Sequence, residues 1–318
     1  IRPCPTLQPY IHSFAFVRTA HHEKSFLVDQ HPTCYTALAY TLGESPETTD
    51  LNRNRQFKPR LSFTGQLKQY SPLQSGTYSA IYAVFKPIGA AHFFSQPMHQ
   101  FTDQYTELSD IIPCNNIYQQ LADCGDDPHR VIATMEQWLI NLFTSRRHAM
   151  SDKLAASSVR LAGIVKKMKQ VKGRNYIDDI CNDFNIPQRT LEAQFNNIIG
   201  VSPKSFSRML RINHAYRQCI VLKETDWQEI VYECNYFDQA HFIKEFKSSF
   251  GYTPAGVPAG TINLSERLVG YAARKSDTVK QRPFAGNSFC SMDKKNGSAA
   301  FATDPEIFVE SGYLATLA

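Results

Sequence analysis

The sequence predicts an α+β fold: a β-rich N-terminal domain followed by an all-α domain with two helix-turn-helix units joined by a long helix. Three observations support this prediction. β-Branched and aromatic residues alternate with turn-forming stretches through the first hundred residues. Apolar residues recur at helical spacing from about Pro128 onward. The helical part then repeats itself once, at an offset of 50 to 51 residues.

The N-terminal domain is predicted to span residues 1–150, since a chain of 318 residues is long enough for two domains. Strands are predicted at 11–17, 34–42, 61–70 and 77–85. After them, Val131, Met135 and Leu139 fall on one face of a helix, and Ser151 lies in the predicted linker. We expect this domain to sense an effector, to dimerise, or to do both.

The second domain is predicted at 151–257 from an internal repeat. The segment from Phe195 to Pro203 reappears from Phe246 to Pro254, and each copy ends in Gly-x-Ser/Thr-Pro. Upstream, Asn185 corresponds to Asn235 at an offset of 50, so the second copy carries one extra residue in its turn. Each copy is therefore predicted to be a short helix, a tight turn and a second helix.

That arrangement is the helix-turn-helix, whose second helix enters the major groove of DNA. Its turn needs a residue that tolerates positive φ, and Asn185 and Asn235 occupy that place. A helical packing unit without a DNA role is the alternative for a single copy. Residues 151–257 carry 15 basic and 11 acidic side chains, whereas 1–150 carry 12 of each. Two copies in the basic segment favour binding to a polyanion.

Residues 177–257 resemble the DNA-binding domain of the AraC/XylS family of transcription regulators. The strongest stretch runs from Cys234 to Pro254, where an aromatic turn precedes a polar-x-x-Phe-x-x-x-Phe-Lys helix ending Gly-x-Thr-Pro. The first copy matches through 188–203. Stretches 85–89 and 98–103 resemble the β-rich N-terminal domain of some members. The family usually has Gly where Asn235 stands, and Asn can adopt the same conformation.

The resemblance, together with the outer faces of the two recognition helices, indicates which residues face DNA. Base-reading positions are predicted at Gln188, Arg189, Glu192 and Ala193 in the first unit and at Gln239, Ala240, His241 and Lys244 in the second. Phosphate contacts are predicted at Lys204, Arg208, Arg211 and Lys247. Glu192 would accept a hydrogen bond from cytosine or repel a phosphate. Base recognition by the first recognition helix is therefore less clearly predicted than base recognition by the second.

These features predict a sequence-specific transcription regulator, an activator that acts at a promoter. The expected partners are double-stranded DNA, RNA polymerase, a small-molecule effector at the N-terminal domain and a second copy of the chain. The main alternative is a cysteine-based DNA-repair or redox-responsive protein that uses the same DNA-binding domain. A further alternative is a binding module that has lost DNA affinity, for which Glu192 and Asn235 would be the signs.

Other features of the sequence favour no enzyme, metal or cofactor. We find no nucleophile–base arrangement, phosphate-binding glycine loop or paired carboxylates. His21, His22, His31 and Cys34 are close in sequence but fit no standard zinc spacing. The eight cysteines form no CxxC pair, and no stretch approaches the roughly 18 to 20 apolar residues of a membrane helix, so we expect a cytoplasmic protein. Residues 258–318 lack periodicity and are predicted to be a poorly ordered tail.

Overall fold

The computed structural model describes residues 1–20, 26–149, 152–221, 227–256, 268, 289–292, 299–302 and 306–310. Within them, a β-rich part is followed by a wholly helical part, so the predicted α+β fold is confirmed. None of the helices described in these ranges is both long enough and apolar enough to cross a bilayer.

The β-rich part contains two antiparallel sheets that face each other. The strands are β1 (Ile11–Ala20), β2 (Phe26–Val28), β3 (Thr36–Leu42), β4 (Thr48–Asp50), β5 (Arg55–Phe57), β6 (Leu61–Thr64), β7 (Leu73–Ser75), β8 (Ser79–Phe85) and β9 (Tyr105–Glu107), with β10 (Phe289–Met292), β11 (Ala299–Ala302) and β12 (Glu306–Glu310) far along the chain. The larger sheet has the order β12-β1-β8-β3-β6-β9, and the smaller has β2-β7-β4-β5. Strands β10 and β11 pair with each other and with no further strand among the described residues.

All four predicted strands exist, with boundaries that differ for physical reasons. Strand β6 stops at Thr64, because the next residue, Gly65, lies directly against the backbone of Phe101, where a Cβ atom would lie 1.9 Å from the carbonyl oxygen. Strand β3 begins only at Thr36 because Cys34 has φ 64°, which no extended strand allows. The backbone, not the residue type, sets both limits.

The predicted tail contains structure that periodicity did not indicate. Strand β12 pairs antiparallel with β1, with Val17 opposite Val309. Leu268 accepts a hydrogen bond from Ser13 through its carbonyl oxygen at 3.2 Å. The other residues of 258–318, apart from β10 and β11, lie outside the described residues, as do His21 and His22.

The helical part begins within the N-terminal domain and continues through the repeat. Its helices are α1 (Asn115–Ala122), α2 (Pro128–Ala149), α3 (Asp152–Gln170), α4 (Ile177–Asp183), α5 (Gln188–Ile198), α6 (Pro203–Tyr216), α7 (Trp227–Glu233) and α8 (Gln239–Phe250). A π-helical turn, Arg217–Val221, extends α6. Thus α4 and α5 form the first helix-turn-helix, α7 and α8 form the second, and α6 joins them.

The two helix-turn-helix units are packed differently. One hydrophobic core runs from the β-rich part through α3, α4, α5 and the first half of α6. A separate core, which includes Ile212, Ile230, Phe242 and Phe246, belongs to the second unit. Helix α5 also packs against the short 3-10 helices Ala90–His92 and Met98–Phe101 of the N-terminal part. The first unit is therefore fused to the N-terminal domain by apolar packing, whereas the second has its own core.

Candidate DNA-binding interface

Both turns adopt the left-handed conformation that the sequence predicts. Asn185 has φ 46° and Asn235 has φ 55°. After each asparagine the chain closes back on the preceding helix: Ile186 N donates to the carbonyl of Cys181 at 3.0 Å, and Tyr236 N donates to that of Val231 at 2.9 Å. This pattern satisfies carbonyls that a helix end otherwise leaves unpaired. The two turns therefore have the same backbone design.

The recognition helices start in different ways. In α8, the side chain of Asp238 accepts a hydrogen bond from His241 N at 2.7 Å, which is an N-cap. In α5 the N-cap position is Pro187, which offers no such side chain. Helix α6 begins as predicted, because Ser202 Oγ accepts from Ser205 N at 3.2 Å and Pro203 is the first helical residue.

All eight predicted base-reading side chains lie on the exposed surface of α5 and α8. They are Gln188, Arg189, Glu192, Ala193, Gln239, Ala240, His241 and Lys244. On the opposite faces, Leu191, Phe195, Phe242 and Phe246 are fully buried. Apolar burial therefore fixes the orientation of each helix and leaves its polar face open.

Two of the exposed side chains in α5 bond to each other. Gln188 Nε2 donates to Glu192 Oε1 at 3.0 Å, one helical turn further on. The bond partly satisfies the carboxylate, so Glu192 presents less acceptor capacity to an incoming ligand. In α8, Gln239 and Lys244 make no side-chain hydrogen bond or ion pair with any residue that the structure describes, which leaves their donors available.

The four predicted phosphate contacts fall into two pairs. Lys204 and Lys247 are exposed on α6 and α8. Arg208 Nη2 donates to the carbonyl oxygen of Lys68 at 2.9 Å, so this arginine tethers α6 to the N-terminal domain. Arg211 Nη2 lies 4.0 Å from Glu245 Oε2, and the Arg211 guanidinium lies 5.0 Å from the ring centroid of Tyr236. The two arginines already have protein partners.

Glu245 is the centre of a polar cluster that the sequence did not indicate. It is only 7% exposed although it belongs to a surface helix. Its Oε1 accepts from the hydroxyl of Tyr236 at 2.7 Å, and its Oε2 lies 3.7 Å from His241 Nε2. Burial, followed by the charge of Glu245, raises the pKa of Tyr236, so the hydroxyl remains a donor. The cluster ties α6, the second turn and α8 together.

Each recognition helix ends on the N-terminal domain. Gly200 has φ 100°, its carbonyl accepts from Thr102 Oγ1, and a Cβ atom there would lie 3.0 Å from the Met98 carbonyl oxygen. Gly251 has φ 84°, and a Cβ atom there would lie 2.7 Å from the ring of Tyr70. Both units therefore contact the other domain at their repeated Gly-x-Ser/Thr-Pro ends, among other places.

The cysteines and histidines that were considered as metal ligands or reactive groups lie mostly in hydrophobic cores. Cys114, Cys124 and Cys34 are buried, and burial raises the pKa of Cys34 to about 12. His31 is buried with its ring centroid 5.2 Å from that of Phe250. In the part of the chain that the structure describes, no group of three or more His, Cys, Asp or Glu side chains could hold a metal ion.

Two helix-turn-helix units on a shared connecting helix define a DNA-binding domain of the double helix-turn-helix class. Comparison with known families agrees, since residues 180–257 match a helix-turn-helix domain model. The C-terminal domain of this chain is a helix-turn-helix domain of the AraC/XylS type, and the resemblance seen in the sequence is confirmed. Residues 1–107 match a separate family described as a domain of unknown function, DUF6597.

Among curated proteins, the HTH-type transcriptional activator RhaS of Escherichia coli O139:H28 is 29% identical over 83 residues. RhaS of Escherichia coli O1:K1 is 28% identical over 83 residues. Each match covers 26% of this chain and 30% of RhaS, so the chain spans less than a third of the length of these relatives.

Among solved structures, ToxT from Vibrio cholerae aligns with a TM-score of 0.41 and 11% identity, over 80% of this chain and 98% of ToxT. A structure of wild-type ToxT from Vibrio cholerae with a bound unsaturated fatty acid aligns with a TM-score of 0.39 and 13% identity, over 76% of this chain and 93% of ToxT.

Proposed function

We propose that the protein is a sequence-specific DNA-binding transcription regulator that activates transcription at a promoter. It acts by binding and not by catalysis. The observation that carries the proposal is the presence of two recognition helices, α5 and α8, whose buried faces are apolar and whose exposed faces carry hydrogen-bonding side chains. In a helix-turn-helix protein that face enters the major groove.

In this proposal the second helix-turn-helix unit contributes more to base recognition than the first. Gln239 can bond adenine N6 and N7, and Lys244 can bond guanine O6 or N7. Ala240 offers a methyl group to thymine, and His241 can donate from its ring. In the first unit, Arg189 would read guanine, Ala193 would contact a methyl group, and the bonded pair Gln188 and Glu192 would face cytosine.

Phosphate binding is proposed chiefly at Lys204 and Lys247, because both ammonium groups are exposed. Arg208 and Arg211 have partners inside the protein, and each would have to share or exchange them to reach DNA. We therefore assign these arginines first to orientation of the units and only then to phosphate contact.

The N-terminal domain is proposed to receive a small effector and to dimerise. A cavity of about 50 Å³ lies between the two sheets, with Phe57, Tyr78, Tyr82 and Tyr105 in its wall. Burial raises the pKa of Tyr78 and Tyr82, so their hydroxyls stay protonated as donors. An effector of ordinary size needs a larger space, so it would have to part the sheets. RNA polymerase and a second copy of the chain are the proposed protein partners, in the cytoplasm.

The alternative is a cysteine-based DNA-repair or redox-responsive protein. Such chemistry needs an accessible thiol with a lowered pKa. Burial instead raises the pKa of Cys34 and Cys234 to about 12 in each case, and burial also raises that of Cys114. These directions favour the regulator.

Selection of bound fragments from a genomic DNA library tests the proposal. The expected result is a recurrent sequence with two half-sites, and transcription in vitro from a promoter that carries it should rise when the protein is added. Retention of fragments without a common sequence would contradict sequence-specific regulation.

A further inference from the structure

A basic cavity of about 420 Å³ lies where the two domains meet. It is bounded by the end of α3, by the second half of α6 with its π-helical turn, and by Tyr35 of the N-terminal domain. Three cationic side chains line it: Lys169, Lys172 and Arg217. The lining contains no carboxylate among the residues that the structure describes. All three cations belong to the DNA-binding domain, and the cavity places their positive charge opposite Tyr35 of the N-terminal domain.

Lys172 and Arg217 are exposed, Lys169 is half-buried, and none of the three has a carboxylate partner in the described part of the protein. Lys169 Nζ lies 3.3 Å from the hydroxyl of Tyr35 and 4.8 Å from its ring centroid, which is a weak substitute for a carboxylate. The carboxylate of Glu233 is close enough to influence His214, but it already accepts from Gln218 Nε2. Among the described residues, Lys169, Lys172 and Arg217 have no ion pair within 4.0 Å.

The backbone of Lys172 adopts a left-handed conformation, which is unfavourable for a lysine. Its φ is 55°, and the next residue, Gly173, has φ 75°. A Cβ atom on Gly173 would lie 2.2 Å from the carbonyl oxygen of Ser207, so this turn is pressed against α6. A left-handed lysine is unfavourable, because its Cβ atom crowds the following carbonyl oxygen. The pair closes the end of α3, since Gly173 N donates to the carbonyl oxygen of Met168 at 2.9 Å, and it fixes the position of Lys172 beside the cavity.

His214 adds a neutral polar group to the same wall. Burial, assisted by the charge of Lys172, lowers its pKa to about 4, so the ring is uncharged at neutral pH. Its Nε2 is buried and makes no hydrogen bond to any residue that the structure describes. Because Nε2 has almost no accessible surface, the other atoms of the His214 ring face the cavity.

We propose that this cavity binds a small anion, a metabolite that bears a phosphate or carboxylate group, and thereby bridges the two domains. Lys169, Lys172 and Arg217 supply the charge, and His214 forms part of the uncharged wall. The consequence for DNA binding rests on the proposed function, since an anion held here would fix the second helix-turn-helix unit relative to the N-terminal domain. The binding itself requires no DNA.

The test uses the full chain and inorganic phosphate as the probe. Thermal melting is measured against phosphate concentration, with sodium chloride at equal ionic strength as the reference. The wild type should gain stability in phosphate beyond the chloride reference, and Lys172→Gln/Arg217→Gln should weaken the apparent affinity by at least about tenfold. The matched control, Arg55→Gln/Lys58→Gln, removes one arginine and one lysine from an exposed stretch of the N-terminal domain and should retain the response.

Three results would overturn this proposal. They are no excess stabilisation by phosphate, an unchanged response in the cavity variant, and an equal loss of the response in the control, which would show that only the net charge matters. If the double variant does not fold by circular dichroism, the single variant Arg217→Gln replaces it. That variant leaves Lys169 and Lys172 in place and should still lower the affinity for phosphate. Failure of the proposed function would appear separately, as an absence of specific DNA binding.

A second inference comes from the turn of the second unit. Ile186 and Tyr236 follow the two turn asparagines, and both are buried, at 3% and 6% exposure. Helix α5 then begins after Pro187, whereas α8 begins after Asp238. The extra residue of the second copy is therefore Phe237, and it is 94% exposed.

The ring of Phe237 is not packed into the hydrophobic core of the described part of the structure. A residue in its place, just before the N-cap, usually packs against the fourth residue of the helix, here Phe242. The ring centroid of Tyr236 lies 5.2 Å from that of Phe242, so Tyr236 fills this role. Phe237 stands in solvent two residues before Gln239, the first residue of α8.

We infer that Phe237 packs against a thymine methyl group in the major groove, beside the bases read by α8. The inference rests on the proposed function. A phenylalanine ring is among the side chains suited to this contact. Burial of one methyl group corresponds to about a fourfold change in affinity.

The experiment is a double-mutant cycle on DNA-binding affinity. One change is Phe237→Ala in the protein, and the other is the replacement of a single thymine by deoxyuridine in the selected operator. One deoxyuridine position should weaken wild-type binding about fourfold and leave Phe237→Ala unaffected. The control is Tyr232→Ala, which removes another highly exposed ring, on α7, and should keep the thymine dependence. Equal thymine dependence in wild type and Phe237→Ala would overturn the inference, as would a defect confined to transcription, which would indicate a polymerase contact. Absence of wild-type binding to any operator would contradict the proposed function itself.

Discussion

The hydroxyl group of Tyr236 donates a hydrogen bond to Glu245 Oε1 across 2.7 Å, and this bond joins the turn of the second helix-turn-helix to the middle of its recognition helix. Both residues are buried, at 6% and 7% exposure. Arg211 from α6 approaches the second carboxylate oxygen at 4.0 Å. The angle at which α8 is presented therefore depends on a buried polar cluster as well as on apolar packing.

Tyr236→Phe should destabilise the protein by about 1 to 3 kcal/mol, because Glu245 Oε1 is then buried without its donor. Urea unfolding followed by circular dichroism measures the change. Tyr232→Phe is the matched control, since that side chain is 85% exposed, and it should be neutral within about 0.5 kcal/mol. Equal stability of the two variants would show that the bond contributes nothing.

Asn235→Gly should be nearly neutral, because glycine tolerates the observed φ of 55°. Asn235→Val should be destabilising by roughly 1 kcal/mol or more, because a β-branched side chain clashes in that region. DNA affinity should fall by more than the loss of folding stability explains, because the two helices of the unit would meet at another angle. Paired urea melts and binding titrations give both quantities. Equal tolerance of Gly and Val would mean that the turn is not required in this form.

Lys244→Ala and Gln239→Ala should each weaken specific binding by about 1 to 3 kcal/mol and relax base preference at one position. Lys247→Ala should instead weaken specific and non-specific binding alike and lower the salt slope by about one. Titrations of selected and scrambled operators at several salt concentrations separate the two effects. A uniform loss in Lys244→Ala would place that lysine on a phosphate.

Gly251→Ala should destabilise the protein more than Gly125→Ala. Both glycines have positive φ, at 84° and 62°, so both variants incur backbone strain of about 1 to 2 kcal/mol. Only Gly251→Ala also drives a Cβ atom into the ring of Tyr70, whereas nothing lies within 4 Å of the corresponding atom at Gly125. Urea unfolding compares them. In a Tyr70→Ala background, Gly251→Ala should cost less stability than it does in the wild type, and an equal cost would argue against this domain contact.

Much of the site was predictable because it depends on local rules. Asn185 and Asn235 could be placed in turns because few residues tolerate positive φ. Ser202 and Pro203 could be placed at the start of α6 because capping chemistry is local. Asp238 obeys the same rule and could have been recognised as the N-cap of α8.

What could not be predicted depends on contacts between distant residues. Arg208 has the appearance of a phosphate contact, yet its partner is the carbonyl of Lys68, 140 residues away. Glu245 has the spacing of an exposed helix residue, yet it is buried because Tyr236 and Arg211 surround it. Strand β12 pairs with β1 from the far end of the chain, where no periodicity marked it. Such contacts follow from tertiary packing and leave no local pattern.

Stability should fall as the pH drops from about 6.5 towards 4. Burial lowers the pKa of His31 to about 3 and that of His92 to about 4, while the unfolded chain keeps a value near 6.5. The unfolded state therefore binds more protons than the folded state in this pH window. Stability that is present above pH 6.5 is lost on acidification. The loss is at most about 1.4 kcal/mol per pH unit for each histidine. Urea melts at several pH values measure the slope. His92→Phe should reduce it, and an unchanged slope would exclude His92 as a source.

The central claim is that α5 and α8 read two segments of one DNA duplex. A methylation-protection footprint of the wild-type protein on a selected operator tests it most directly. The account predicts two protected major-groove segments on one face of the duplex, about 10 base pairs apart from centre to centre, with the segment under α8 lost selectively in Lys244→Ala. A single protected segment, or protection that Lys244→Ala leaves unchanged, would contradict it.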